Sequence, residues 1–289
     1  MKSYRIPELA KKYADHEMIQ TYTELPEFPD SRIRLLFAFL TNQKAPFQHS
    51  ELYSLVVSLV QLGMDTHDLI DSDSGHVPER EMRSRQLKVL AGDYFSSRFY
   101  HLLAQAGQVD MVKRISEGVC EVNKLKMNLY VKMKQLRVTA EDYLDQSIGL
   151  KTELFRVFTD MLDDEAITDW RELLQGFGRC EVLVEELARS EKPERFGGSW
   201  GYWHVLEEGN EEEKRKLVEK SGDLPFASAL LAKYDIRSML AGKLKQSISH
   251  VLSYSSKLDP EKLMRELIQI GESFQRPLIA AVSVHGERR

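Results

Sequence analysis

The spacing of apolar residues is the feature that most constrains this fold. Large apolar side chains recur every three or four residues, which is the period of an α-helix with one buried face. Leu52, Leu55 and Leu59 form one such series, and Leu240 and Leu244 belong to another. No stretch alternates convincingly between apolar and polar residues, as a half-buried β-strand would. The pattern predicts an all-α protein.

The breaks between the predicted helices are short. Pro26 and Pro29 separate an N-terminal segment from the next helix, and Lys192–Gly201 contains one proline and three glycines. No tract has the composition of an interdomain linker. A chain of 289 residues can still form one large core. We therefore expect residues 1–30 to be an appendage packed on the bundle, and residues 31–289 to form a single all-helical domain.

The charge balance and the apolar clusters exclude several classes of protein. The chain has 45 acidic and 40 basic residues, so its surplus of acid argues against nonspecific nucleic-acid binding. The cluster Leu35–Leu40 is far shorter than the roughly 20 residues of a membrane-spanning helix. We see no secretory signal and expect a cytoplasmic protein without a transmembrane segment. Cys120 and Cys180 are too few for a disulfide scaffold, and we expect both to be buried and inert.

Three aspartates at intervals of three residues form the first candidate site. On a helix, Asp65, Asp68 and Asp71 would lie on roughly one face. Stacked carboxylates repel one another unless a cation or a basic side chain compensates them. Mg²⁺ is a natural compensator because it takes oxygen ligands and bridges to diphosphates. The other interpretation is a solvated helix end, and the spacing alone leaves both open.

A small patch within a bulky helix forms the second candidate site. Ala91 and Gly92 interrupt the apolar stripe of a helix predicted over Leu87–Leu103. A glycine inside a helix costs about 1 kcal/mol relative to alanine, so it is favoured where another helix or a ligand approaches closely. Asp93 would lie beside this stripe and should have a partner. The rings around the patch are Tyr94, Phe95, Phe99 and Tyr100. A tight crossing within the chain's own core would explain the same pattern.

Together the two segments resemble a known family. Residues 89–98 read Val-Leu-Ala-Gly-Asp-Tyr-Phe-Ser-Ser-Arg, which resembles the V-L-x-G-D-[FY]-L-x-[AS]-R segment of the trans-isoprenyl diphosphate synthases. In that family an aspartate-rich D-D-x-x-D helix lies upstream, where this chain has Asp65 to Asp71. The resemblance implies an isoprenoid-synthase-like bundle of long antiparallel helices around a central cavity, in which an allylic chain grows.

The chain departs from the family where metal is bound. Leu69 replaces the second aspartate of the first motif, and Pro78–Arg83 lacks the family's Arg-Arg-Gly. The nearest counterpart of the second motif, Phe177–Glu186, has no aspartate and ends in Glu185 and Glu186. Departure of the allylic diphosphate requires Mg²⁺ held by carboxylates of two helices. We therefore expect no catalytic or metal-binding residue on this chain, and Mg²⁺ on a catalytic partner.

A chain with the family fold but without its metal site resembles the small subunit of the two-component synthases of this family. These two-component synthases make heptaprenyl diphosphate in menaquinone-producing bacteria. The resemblance implies a noncatalytic regulatory subunit of a heterodimer, inactive alone. Its partner would carry the aspartate motifs, and the complex would bind allylic and isopentenyl diphosphates. The candidates for partner contacts and product-length control are Ala91, Gly92, Asp93, Tyr94, Phe95, Phe99 and Tyr100. The alternatives are a competent all-α prenyltransferase or diphosphate-binding enzyme with an unusual metal site, and a helical scaffold unrelated to isoprenoids.

Overall fold

A computed structural model describes residues 3–15, 19, 23–44, 48–70, 79–219, 222–276 and 278. Every regular element in these ranges is helical, which confirms the predicted all-α class. The α-helices are α1 (Ile6–Ala14), α2 (Asp30–Thr41), α3 (Ser50–Asp68), α4 (Glu79–Gln105), α5 (Val109–Lys134), α6 (Ala140–Arg156), α7 (Asp164–Ser190), α8 (Trp200–Glu208), α9 (Glu211–Glu219), α10 (Leu224–Lys233), α11 (Ile236–Ser255) and α12 (Glu261–Ser273). Two 3₁₀ turns, Thr159–Met161 and Pro193–Arg195, flank α7. Within the described ranges, no helix has both the length and the apolarity needed to cross a lipid bilayer.

The predicted apolar series become the buried faces of these helices. On α7, Trp170, Leu173 and Phe177 are all fully buried. One helix start shows why the chain turns where it does. The side chain of Ser199 accepts a hydrogen bond from the backbone N–H of Tyr202 at the start of α8. Such caps satisfy backbone donors that have no partner in the first turn of a helix.

The structure corrects two predicted boundaries. Lys192–Gly201 is not irregular throughout, because α8 already begins at Trp200, whose ring is buried in the core. The sequence Asp259-Pro260 predicts that Asp259 caps α12 and that Pro260 is its first helical residue. Instead Pro260 is the N-cap residue, because its ψ of 158° is extended, and α12 begins with Glu261.

The chain forms two compact units. The first comprises Met1–Val119 and Leu154–Ile167, and the second comprises Cys120–Glu153 and Thr168–Arg289. In the first unit α3 packs along α4 and also contacts α1 and α2. In the second unit α11 packs against α12 and α10, and α8 packs against α9. The division into an appendage of residues 1–30 and a single domain stays a prediction.

The two cysteines differ in accessibility. Cys180 on α7 is buried, as expected, and burial raises the pKa of its thiol to about 12. The expectation for Cys120 is wrong, because this residue lies on the exposed side of α5. A buried thiol with a raised pKa is a poor nucleophile, whereas an exposed thiol can react.

Candidate functional site

Of the three aspartates spaced three residues apart, the second is the last residue of its helix. Helix α3 ends at Asp68, and Asp71 lies outside the described residues. Asp65 is half-buried, and its Oδ1 accepts a hydrogen bond of 2.8 Å from Nε2 of Gln61. The Gln61 Oε1 in turn accepts a hydrogen bond of 3.2 Å from Nη1 of buried Arg32. The Gln61 amide therefore links Asp65 to a buried guanidinium of the same chain.

Two side chains join the end of α3 to α4. The ammonium of Lys88 donates a hydrogen bond of 3.1 Å to the carbonyl of Leu69, just after α3. A cation at a helix C-terminus is favourable because the last carbonyls carry partial negative charge. Nε2 of His67 lies 3.3 Å from Oδ1 of Asp93. His67 is thus the partner that the sequence predicted for Asp93 without identifying it.

Glycines allow α3 and α4 to cross closely. A Cβ atom at Gly92 would lie 2.6 Å from Nε2 of His67. A Cβ atom at Gly63 would lie 2.6 Å from Oγ of Ser96 and 2.9 Å from the carbonyl oxygen of Gly92. The small size of Gly92 is therefore explained by a helix of the same chain. Gly63 was missed, although a glycine in an apolar helix carries the same signal.

The predicted partner contacts on α4 divide into a covered group and an exposed group. Ala91 and Phe95 form a buried cluster with Leu62 of α3. The side chains packed against this cluster are Ala14, Ile19, Leu25 and Tyr94. Phe99 is also buried, so Ala91, Gly92, Phe95 and Phe99 are enclosed by their own chain. Packing within the chain accounts for these four residues without a second subunit.

The exposed group lies on the other side of α4. Asp93 and Tyr100 are exposed, with 56% of Tyr100 accessible. Leu90, which was not selected from the sequence, is 62% exposed, and Val89 is exposed beside it. The helical period placed these residues opposite the buried stripe, but the sequence does not show what covers a helix face. Tyr94 is half-buried between the two groups.

Glu186 belongs to a buried network. Only 3% of Glu186 is exposed. Its Oε1 accepts hydrogen bonds of 2.9 Å from the hydroxyl of Tyr143 and from Nη1 of Arg189. Its Oε2 accepts a hydrogen bond of 2.7 Å from the backbone N–H of Trp200. Burial and the negative charge of Glu186 raise the pKa of Tyr143, so the tyrosine remains a protonated donor at neutral pH.

Glu185 is also held by its own chain. Its Oε1 lies 2.6 Å from the ammonium of Lys151 on α6. The two glutamates that replace the second aspartate motif therefore already have cationic partners. Within the described ranges, no three histidine, cysteine, aspartate or glutamate side chains form a group that could hold a metal ion. The absence of catalytic and metal-binding residues from this chain, and Mg²⁺ on a catalytic partner, both stay predictions.

Comparison with known proteins identifies the family. Residues 16–200 match the family described as heptaprenyl diphosphate synthase (HEPPP synthase) subunit 1. The chain belongs to this family. A curated relative from Geobacillus stearothermophilus, heptaprenyl diphosphate synthase component 1, is 38% identical over 78 residues, which are 27% of this chain and 33% of that relative. The match thus spans about a third of the relative's length.

Solved structures show the same fold. A decaprenyl diphosphate synthase from Rhodobacter capsulatus has a TM-score of 0.67 at 15% identity, covering 93% of this chain and 94% of its own. The heptaprenyl diphosphate synthase from Staphylococcus aureus has a TM-score of 0.65 at 13% identity, covering 94% of this chain and 98% of its own. At such low identity these similarities establish the fold alone. They confirm the polyprenyl synthase fold that the α3 and α4 segments predicted.

Proposed function

We propose that this chain is the noncatalytic, regulatory subunit of a heteromeric heptaprenyl diphosphate synthase. A partner subunit with intact aspartate motifs would carry out prenyl transfer from allylic and isopentenyl diphosphates, for the side chain of menaquinone. Family membership supports the assignment to such a synthase. The observation that carries the noncatalytic role is the pairing of Glu185 with Lys151 and of Glu186 with Arg189.

The chemistry explains why these pairs matter. Ionisation of an allylic diphosphate places negative charge on the leaving oxygens, and Mg²⁺ ions neutralise that charge. Removal of one electrostatic stabiliser typically lowers a rate by about 10²–10³. Here Glu186 has three internal donors and Glu185 has an ammonium, so binding Mg²⁺ would first require breaking these contacts. These internal contacts support the proposal that Glu185 and Glu186 of α7 do not hold Mg²⁺ in this chain.

The exposed side of α4 is the surface that we propose for the partner. Leu90, Asp93 and Tyr100 lie there, while the small patch at Gly92 is occupied by His67. Tyrosine is one of the residue types enriched among those that supply most of the energy of protein interfaces, which favours Tyr100 as a contact. The proposal also gives Tyr100 a role in product length, since it is the most accessible ring of this surface.

Reconstitution tests the proposed function. This chain, its catalytic partner and their mixture are each assayed with Mg²⁺, farnesyl diphosphate and isopentenyl diphosphate. We expect the mixture to form long-chain product and this chain alone to form none. Alanine at Asp68 should leave the mixed rate within a few-fold of the wild-type rate, because Asp68 is not needed as a metal ligand. A loss of about 10³ or more would show a dependence on metal or substrate at this residue.

The proposed interface has its own test. Leu90→Asp and Tyr100→Asp should weaken association with the partner without changing the stability of this chain, because both side chains are exposed. Met239→Asp on α11 is the control, since it places the same charge at another exposed apolar position. Equal association of the wild type and both α4 variants would exclude this surface. A shorter side chain at Tyr100 should also lengthen the product.

A further inference from the structure

Arg189 places its guanidinium in a shell of oxygen atoms. Nη1 donates hydrogen bonds of 2.9 Å to the hydroxyl of Tyr143 and to Oε1 of Glu186. Nε and Nη2 donate bonds of 3.3 and 3.2 Å to the carbonyl of Arg195, and Nη2 donates another of 3.1 Å to the carbonyl of Gly197. These contacts match the five N–H donors of an arginine side chain, so the guanidinium is fully used.

The oxygens around this guanidinium resemble the ligands of a hard cation. They comprise one carboxylate oxygen, one hydroxyl oxygen and two backbone carbonyl oxygens. Carboxylate and carbonyl oxygens are typical ligands of Ca²⁺, which binds in a flexible geometry. Only 3% of Glu186 is exposed, and a carboxylate buried to this extent needs a counter-charge. Here the counter-charge comes from an arginine of the same helix.

The same ion pair fixes the connection between α7 and α8. Tyr143 lies on α6 and Glu186 on α7, whereas the two carbonyls belong to the connection itself. The second oxygen of Glu186 accepts a hydrogen bond of 2.7 Å from the backbone N–H of Trp200, the first residue of α8. One guanidinium and one carboxylate thus hold both the connection and the start of the next helix.

We propose that Arg189 is the resident cation of a site that would otherwise take a divalent metal ion. The guanidinium holds the α7–α8 connection in place without Mg²⁺. An uncharged side chain at this position should leave an oxygen site with net negative charge, which a divalent cation can then enter. The inference rests on the proposed function in one respect, namely that Glu186 is not a Mg²⁺ ligand in the native chain.

Thermal unfolding of the full chain, with Mg²⁺ or Ca²⁺ as the probe, tests the proposal. We expect either ion to change the melting temperature of the wild type by less than about 1 °C. Arg189→Ala should melt roughly 6–10 °C lower without metal, because the buried carboxylate has lost its counter-charge. Ca²⁺ at about ten times its dissociation constant should then raise the melting temperature of this variant by about 3–5 °C.

Two controls show whether the response belongs to this site. Arg237 on α11 is as buried as Arg189, with 29% and 27% of the side chains exposed, and it pairs with Glu191 at 2.8 Å. Arg237→Ala also removes a paired arginine, but it should gain no response to Ca²⁺, because no shell of oxygens surrounds that pair in the described contacts. Glu186→Gln added to Arg189→Ala should abolish the response, since it removes the only carboxylate of the site.

Arg189→Gln is the second variant if Arg189→Ala does not fold. Its amide keeps two donors but carries no charge, so the same response to Ca²⁺ is expected. The proposal is overturned if the folded variant shows no response, if Arg237→Ala responds equally, or if the response survives Glu186→Gln. An equal response of the wild type would also overturn it, because the site would then not be filled by Arg189. These outcomes are read without partner or substrate, so they are distinct from failure of the reconstitution assay.

Discussion

The replacement of Glu186 by glutamine distinguishes a structural carboxylate from a metal-binding one. Glutamine keeps the shape of the side chain but replaces one oxygen with an amino group. In one orientation this group faces the N–H of Trp200, and in the other it faces Tyr143 and Arg189. Either way a donor meets a donor, and the half-buried Arg189 guanidinium loses its counter-charge. We therefore expect Glu186→Gln to destabilise the protein in the absence of any metal or substrate.

The magnitude follows from the contacts that are lost. Hydrogen bonds to a charged group contribute about 1.5–3 kcal/mol each, and breaking a buried ion pair costs about 3–5 kcal/mol. Because glutamine can keep part of the network, we expect a loss of about 2–4 kcal/mol in the free energy of unfolding. Glu185 is the matched control. Its side chain is more than half exposed beside Lys151, so Glu185→Gln should cost less than about 1 kcal/mol.

Denaturant titration measures both variants without Mg²⁺, and limited proteolysis locates the effect. Arg189 also donates to the carbonyls of Arg195 and Gly197, so loss of Glu186 should loosen the loop between α7 and α8. Trypsin should then cut faster after Arg195. The reasoning is refuted if Glu186→Gln is as stable as the wild type, or if both glutamine variants lose the same stability. If Glu185 and Glu186 bound Mg²⁺ as a pair, both glutamine variants would be as stable as the wild type without Mg²⁺. Both variants would also lose the same share of the stabilisation that Mg²⁺ gives the wild type.

Three further outcomes follow from the described contacts. Gly92→Ala should destabilise the wild type by about 1 kcal/mol in denaturant titration. In a His67→Ala background, Gly92→Ala should instead stabilise the protein by about 1 kcal/mol, because only the higher helix propensity of alanine remains. A change of the same sign in both backgrounds would contradict a clash between the added Cβ atom and the His67 ring. Cys120 should react with a thiol reagent in the native protein and Cys180 only after unfolding; equal rates would contradict the assigned burial. A hydrogen bond to an aspartate of α7 raises the pKa of Tyr254 from 10.0 to about 12, so the folded state keeps a proton that the unfolded state loses. Stability should therefore fall as pH rises from about 10 to about 12, and less steeply in Tyr254→Phe; equal slopes would refute this.

Much of the fold follows from local patterns in the sequence. Leu173 and Phe177 are buried where the helical period places them, and that period also identified α4 and α11. The ends of helices were harder to predict, because they depend on individual residues. The ψ of Pro260 decides where α12 begins, and the cap at Ser199 starts α8 before the end of the glycine-rich segment.

The candidate site could be predicted only in part, because its contacts join residues that are distant in sequence. The pattern around Gly92 indicated a close approach but not that His67 makes it. It also did not show that Ala14, Ile19 and Leu25 help to cover Ala91 and Phe95. Two adjacent glutamates look alike in a sequence, and only packing shows that Glu186 is buried while its neighbour is exposed. Long-range packing thus decides which side chains remain available for function.

A single-turnover assay of the isolated chain tests the central claim most directly. The chain, in excess over radiolabelled isopentenyl diphosphate, is incubated with farnesyl diphosphate and Mg²⁺, so that even one slow cycle yields detectable product. The noncatalytic role predicts no elongated product, with product formed when the catalytic partner is added. Near-stoichiometric product from the chain alone, abolished by Asp65→Asn with Asp68→Asn, would show a working metal site and contradict the account.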